Sequence, residues 1–443
     1  MPQATERYSD LELELTVSAP AHGGHFIARH EGRVVFVRHA LPGERVRVRV
    51  TDGGPDAGFW RADTVEVLEA SPHRVAHPWA PADALLAAKA GKPPVGGAEF
   101  GHIALAQQRA LKAAIFEEQL HRLAGVERSV SVEPADANDD GGLGWRTRAA
   151  FAVDPSGRLA MNAHRSDQLI PVTDMPLAVP AINELRLWEQ DLSQLVRVEV
   201  AAPANGSAPL VLLVPAEGAS PRRLAAIAGR IPTPASVAVW EPEEQRLTRL
   251  RGRTWVAESC RGHEYRVTGE GFWQIHRSAP QVLTGAVLAG VDPQPGQRVA
   301  DLYAGAGLFT APLGAAVGPS GAVLSVEGSP GTSRDARKNL HGMEQVQIVQ
   351  GKVENVLSRY HDRLDAVVLD PPRAGAGRKV VEQLHGKGPS VVGYVACDPA
   401  SFARDLGYFL KLGWELQDLR VFDLYPNTHH MESFARLVRA RRA

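Results

Sequence analysis

Four apolar runs in the C-terminal half of the chain each end on a residue able to do chemistry. Val299-Ala300 ends on Asp301, Ala322 to Val326 on Glu327, Ala366 to Leu369 on Asp370, and Val391 to Ala396 on Cys397. In open α/β sheets, ligands sit beyond the carboxyl ends of the strands, so these four positions are where a ligand would be met. Asp301 opens Leu302-Tyr303-Ala304-Gly305-Ala306-Gly307, in which Gly305 and Gly307 let a strand-to-helix turn pass close to a ligand. Glu327, at the end of the next strand, is placed to accept hydrogen bonds from both ribose hydroxyls of an adenosine. Asp370-Pro371-Pro372-Arg373 closes a strand with a rigid turn that aims a carboxylate and backbone carbonyls into the crevice.

Cys397 precedes Asp398-Pro399, a helix start with Asp398 as cap and Pro399 at the first helical position. A helix N-terminus stabilises a thiolate, so Cys397 reads as a nucleophile. Cys260, in Ser259-Cys260-Arg261, has no helix start beside it and reads as structural. Further on, Tyr425-Pro426-Asn427-Thr428-His429-His430-Met431-Glu432 is a polar turn between two strand-like runs, expected to overhang the same crevice. Two adjacent histidines without other ligands read as hydrogen-bonding groups rather than a metal site. A chemistry that unites Cys397 and Glu432 is methylation at carbon 5 of a pyrimidine. Thiolate addition at carbon 6 generates an enolate able to attack a sulfonium methyl, and a base must then remove the carbon 5 proton. Glu432 is the candidate base.

The elements that must position these residues follow from the pattern. After about Gly269 the chain alternates strand and helix, the signature of a doubly wound parallel sheet. Residues 11 to 67 read as short strands (Leu11 to Val17, Gly24 to Arg29, Arg33 to Val37, Glu44 to Val50, Arg61 to Val67), which suggest a small β-barrel. In Arg45-Val46-Arg47-Val48-Arg49-Val50 the period of two puts three guanidinium groups on one face, an expected phosphate-binding surface. Ser71 to Gly101 is Pro-, Ala- and Gly-rich and reads as a linker. His102 to Leu123 has helical spacing up to a stop at Gly125, and 145 to 257 mixes strands with a helix around Pro221 to Arg230, an α+β middle domain.

At 443 residues the chain is too long for one core, and two or three domains are expected. Two cysteines allow neither a disulfide framework nor a four-cysteine zinc site. A net charge of −1 leaves any nucleic-acid partner to local basic patches. No apolar run is long enough to span a bilayer, and Met1 to Arg7 lacks the apolar core of a signal peptide, so a cytoplasmic protein without a membrane partner is expected.

With these motifs in order, nearly the whole chain resembles the bacterial S-adenosylmethionine-dependent RNA 5-methyluridine methyltransferases. Residues 8 to 68, with Ala21-His22-Gly23-Gly24 and Leu41-Pro42-Gly43-Glu44, resemble the TRAM domain, an RNA-binding β-barrel. Residues 69 to 265 resemble the family's linker helix and RNA-binding middle domain, and 266 to 443 its Rossmann-like class I methyltransferase domain. Gly271-Phe272-Trp273-Gln274 is similar to the family's Phe-x-Gln motif, which implies that Gln274 contacts cofactor or base. The resemblance further implies S-adenosylmethionine binding by Tyr303, Glu327 and Asp370, with Cys397 as nucleophile and Glu432 as general base. It also implies a folded tRNA or 23S rRNA as substrate; a monomer is expected. Many members hold an iron-sulfur cluster on four cysteines. Here His73 to Gly101 has none and Met175 stands in the fourth position, so a member without the cluster is implied. Leu308 replaces an asparagine of some relatives, and Ala396-Cys397-Asp398-Pro399 replaces the commoner Ser-Cys-Asn-Pro. Two other readings stand beside this one: an RNA-binding or RNA-folding protein with a vestigial methyltransferase site, and an NAD-dependent oxidoreductase, which would leave the Cys397 turn and the basic barrel without a role.

Overall fold

The structure, a computed structural model, describes residues 11–136, 140–164 and 166–440; the Met1 to Arg7 segment and residues 8–10 at the expected start of the barrel lie outside them. Two compact units are present. One comprises Met1–Ile115, Ala160–Pro176 and Tyr425–His430, the other Phe116–Leu159, Leu177–Leu424 and Met431–Ala443. No helix among the described residues is long and apolar enough to cross a membrane.

The first unit is built on a six-stranded sheet, in spatial order Glu12–Thr16, Arg45–Asp52, Phe59–Glu69, Arg33–Arg38, His25–His30 and Ala19–Ala21. Alternation along these strands sends Leu15, Phe26, Val35, Val37, Val46, Val48 and Trp60 into one apolar core, which Phe100 and Ile103 complete. Arg45, Arg47 and Arg49 do share the opposite face. They are not free for phosphate, because the neighbouring strands set a carboxylate against each: Arg45 pairs with Glu14 and Glu69, Arg47 with Glu14 and Glu66, and Arg49 with Glu12. The stripe is therefore an ion-pair ladder, a cross-strand arrangement that the sequence of one strand does not reveal.

The Pro- and Gly-rich stretch after Ser71 is ordered by side-chain bonds rather than by regular structure. Asp83 caps the helix Ala84–Lys89, and the Trp79 indole, 1% exposed, donates to Asp174 at 2.9 Å beside buried Met175. Glu44, fully buried, accepts from the Leu41 and Ser71 amides and from Arg74. The segment Tyr425–His430 is mostly buried within the same unit. Asn427 exchanges hydrogen bonds with Gln108 and accepts from the Phe100 amide, and His429 faces Glu99 at 3.6 Å. His429 thus faces a carboxylate of its own unit, and the turn is held by that unit's core.

In the second unit the strands Arg148–Val153, Leu195–Ala201, Leu210–Pro215, Ser236–Glu241 and Arg246–Arg251 lie side by side. The helix Pro221–Arg230, capped by Ser220, crosses between the two parallel members. A hairpin of Trp255–Cys260 and His263–Thr268 follows. The C-terminal part is an eight-stranded sheet in the order Val346–Gln350, Ala322–Glu327, Arg298–Leu302, Ala366–Leu369, Val391–Ala396, Glu432–Arg439, Trp414–Asp423 and Val132–Pro134. The first five run parallel, and Glu432–Arg439 is antiparallel to both of its neighbours. This is a Rossmann-like α/β sheet whose strand order reverses between Arg298–Leu302 and Ala366–Leu369, the switch point at which such sheets bind ligands.

Candidate active site

The turn after Arg298–Leu302 is shaped by backbone that favours glycine. Tyr303, Gly305 and Gly307 all have positive φ, at 66°, 57° and 95°. A Cβ on Gly307 would press on Leu340 at 3.1 Å, whereas a Cβ on Gly305 would enter open space. Gly307 therefore serves packing, and Gly305 keeps the floor of a crevice low. Glu327 braces this turn from the next strand: one carboxylate oxygen accepts from the Gly305 amide at 2.9 Å and the other from the Ser329 amide at 2.6 Å. Each oxygen has a further lone pair, as an acceptor of ribose hydroxyls requires.

Asp301 is wholly buried and accepts from the Thr310 hydroxyl at 2.5 Å through one oxygen, while the other has no hydrogen-bond partner among the described residues. Burial pushes its carboxyl up to about 7, against the Thr310 bond and with the Glu327 charge. Asp370 lies at the end of the adjacent strand, its amide donating to the Leu302 carbonyl at 3.3 Å. Its carboxyl is raised too, by burial and then by the Asp301 charge, so the two acids do not readily ionise together. The loop after Asp370-Pro371-Pro372-Arg373 is fixed by Asp405, whose Oδ2 accepts from the Ala376 and Gly377 amides and the Tyr394 hydroxyl.

Cys397 follows the strand Val391–Ala396 and stands just before the helix Pro399–Lys411, with the Asp398 side chain accepting from the Ser401 amide at 2.8 Å. Antiparallel pairing sets Ala396 opposite Ser433, so Glu432 is the residue across from Cys397. The Ser433 hydroxyl donates to the Ala396 carbonyl at 3.0 Å and locks this register. Glu432 is 3% exposed and Cys397 is half-buried. The expected thiolate stabilisation is overturned. Burial, then Glu432 and Asp370, push the thiol up to about 12, and Arg373 opposes them only in part. Desolvation and like charge outweigh a helix start whose own cap is an anion.

Gln274 is buried beside Trp273, which packs on Tyr265 with ring centroids 5.1 Å apart. Phe272, two positions earlier, is by contrast 62% exposed. Arg148 donates to the Gly271 carbonyl at 2.7 Å and anchors this motif from a strand of the middle sheet, a role with no sequence signal. Tyr303 is raised to about 12 by burial, Glu354 and Asp405, which keeps its phenol a neutral donor. Cys260 is buried, its thiol near the Thr284 hydroxyl at 3.6 Å, as befits a structural residue. The structure thus brings Cys397, Glu432, Asp370 and Asp301 into one field of charge and joins Glu327 to Gly305. Gln274 lies on a separate segment, next to the Trp273 that packs on Tyr265. An adenosine cofactor fits these residues: open space at Gly305, a braced Glu327 carboxylate and an unsatisfied Asp301 oxygen are complementary to a ribose and an amino-acid moiety.

Residues 7–59 match the TRAM domain, and residues 259–440 match the family described as tRNA (uracil-5-)-methyltransferase. A 23S rRNA (uracil(1939)-C(5))-methyltransferase of Shewanella sp. is 30% identical over 445 residues, covering 94% of this chain and 93% of its own length. The chain belongs to the RNA (uracil-5-)-methyltransferase family. Members of this family use S-adenosylmethionine, which leaves no place for the nicotinamide reading. An uncharacterized RNA methyltransferase of Streptomyces avermitilis is 42% identical over 440 residues, covering 96% of this chain and 97% of its own. The fold is shared with the Pyrococcus abyssi tRNA (uracil-54, C5)-methyltransferase in complex with S-adenosyl-L-homocysteine. That match has a TM-score of 0.69 at 18% identity and covers 96% of this chain and 99% of the other.

Proposed function

We propose that this family member methylates carbon 5 of a uridine in folded ribosomal or transfer RNA through a covalent adduct on Cys397. The observation that carries the reading is the strand register that sets Glu432 opposite the end of the strand bearing Cys397. Gln274, Tyr303, Gly305, Gly307, Glu327 and Asp370 would hold S-adenosylmethionine, which when bound supplies an electrophilic methyl group. Ionised Cys397 adds its sulfur to carbon 6 of the uracil, and the electron pair of the 5,6 double bond moves onto the carbonyl system as an enolate. Collapse of that enolate would join carbon 5 to the methyl carbon as the bond from that carbon to the cofactor's sulfur breaks, its electron pair staying on the sulfur of S-adenosylhomocysteine. The Glu432 carboxylate then takes the carbon 5 proton, the double bond re-forms and the sulfur leaves as thiolate. Burial keeps both groups out of bulk water, and the uridine must be extruded from its stack to reach them.

The test is a trap. The protein is incubated with S-adenosylmethionine and 5-fluorouridine-substituted ribosomal or transfer RNA, then denatured. Fluorine blocks proton removal at carbon 5, so wild type should leave a denaturation-resistant adduct and Cys397→Ala none. Sequencing the trapped RNA identifies the substrate. Absence of an adduct with RNA that relatives modify would refute the covalent reading and favour a vestigial site in an RNA-binding protein.

A further inference from the structure

We infer that the barrel meets single-stranded RNA on the face carrying Phe36 and Phe59, not on the Arg45 to Arg49 stripe. The inference rests on the RNA methyltransferase reading above and names the surface by which the same substrate is gripped. Strand pairing assembles that face in rows. Arg29 lies beside Val34 and Val34 beside Phe59; Ile27 lies beside Phe36 and Phe36 beside Arg61; Arg38 lies beside Asp63. All of these alternate with core residues and so point outward.

Two properties separate this face from the ladder. The first is exposed aromatic surface: Phe59 is 43% exposed, packs edge-on to Phe36 at 5.4 Å and has the Arg61 guanidinium over its ring at 4.9 Å. The second is unmatched charge. Among the described residues Arg29, which alternates with the core residue Ala28, bonds the Gly32 carbonyl and no carboxylate. The guanidinium groups of Arg45, Arg47 and Arg49, by contrast, all meet carboxylates. Arg61 and Arg38 are matched, to Asp52 and Asp63. The last row forms a wall of a polar cavity of about 390 Å³ that His25, His164, Ser166 and Gln168 also line. Aromatic rings for stacking, a cation not held by a carboxylate among the described residues and an adjoining polar cavity are what an unpaired RNA strand uses; a duplex offers no base faces to stack on Phe59.

The experiment uses the full chain and a fluorescein-labelled oligouridylate of about 16 nucleotides, the upper footprint of a comparable barrel. Phe59→Ala and Phe36→Ala should each weaken binding by roughly 5- to 100-fold. Arg29→Gln should weaken it and flatten its salt dependence, while Arg45→Gln with Arg47→Gln should change affinity less than about twofold. S-adenosylhomocysteine binding by calorimetry should be unchanged in every variant, which shows that each is folded. Loss of affinity in the Arg45/Arg47 variant with Phe59→Ala unaffected would overturn the assignment, as would a wild-type protein that ignores the oligonucleotide. Either result leaves the fluorouridine trap, and with it the proposed chemistry, intact.

Discussion

Glu432→Gln should make Cys397 easier to alkylate while stopping turnover. The thiol stands at about 12 instead of an ordinary 9.0, so at about pH 8 its thiolate fraction is about a thousandfold below that of a free cysteine. Burial is the largest cause and the Glu432 charge the next. Glutamine keeps the size and removes the charge, which should lower the thiol by about one unit and raise the thiolate about tenfold. Nucleophilicity falls as a thiol becomes more acidic, by about threefold per unit, so the net gain in alkylation rate is about threefold. Iodoacetamide labelling at about pH 8, read by mass spectrometry on the Cys397 peptide, measures this; buried Cys260 in the same digest is an internal control. Arg373→Met should slow labelling, because Arg373 is the cation that opposes the rise. If Glu432→Gln labels no faster than wild type, the carboxylate does not face the thiol and its role as base falls with it. Faster labelling with no methyl transfer is a combination that mere unfolding would not give, since unfolding would expose Cys260 as well.

Three further outcomes follow from the geometry. Gly305→Ala should leave the thermal midpoint within a few degrees of wild type, at a cost of about 1 kcal/mol for its left-handed backbone, yet sharply reduce S-adenosylhomocysteine affinity by calorimetry; equal affinity would place the cofactor elsewhere. Gly307→Ala should show the reverse emphasis, losing stability through the Leu340 contact. Asp301 has a folded value raised to about 7, so the stability it contributes is complete below about pH 4 and is lost as pH rises toward 7. Asp301→Asn, which still accepts from Thr310, should therefore match wild type below about pH 4 and unfold at a higher temperature at about pH 8. The ceiling is about 4 kcal/mol at 1.4 kcal/mol per unit, and a variant less stable than wild type at the higher pH would show that ionised Asp301 has an unseen partner.

The parts legible in the sequence were those with a local signal. Apolar runs closed by Asp301, Glu327, Asp370 and Cys397 are strands of the parallel sheet, and Asp398-Pro399 starts the helix it was expected to start. The helix from His102 is regular only over Leu105–Gln119, then widens into a turn at Leu120–Ala124 before Gly125 stops it. What the sequence hid depends on partners far along the chain. Val132–Pro134 is too short to register as a strand until it pairs with Val421 to Asp423. Asn427 looks like a surface turn residue until Gln108 buries it. The thiol's surroundings are hidden for the same reason: the helix start is visible beside Cys397, whereas Glu432 and Asp370 reach it from other strands.

The ladder of Arg45, Arg47 and Arg49 bears on how this barrel behaves toward polyanions in general. A guanidinium already neutralised by Glu12, Glu14, Glu66 or Glu69 displaces no condensed counterions from an arriving nucleic acid, because it must first surrender its carboxylate. The salt sensitivity of binding should then count the unmatched arginines alone. A flank that is rich in arginine yet electrically balanced gives little indiscriminate adhesion to bulk RNA, so dwell time is left to the few places where a base can also stack.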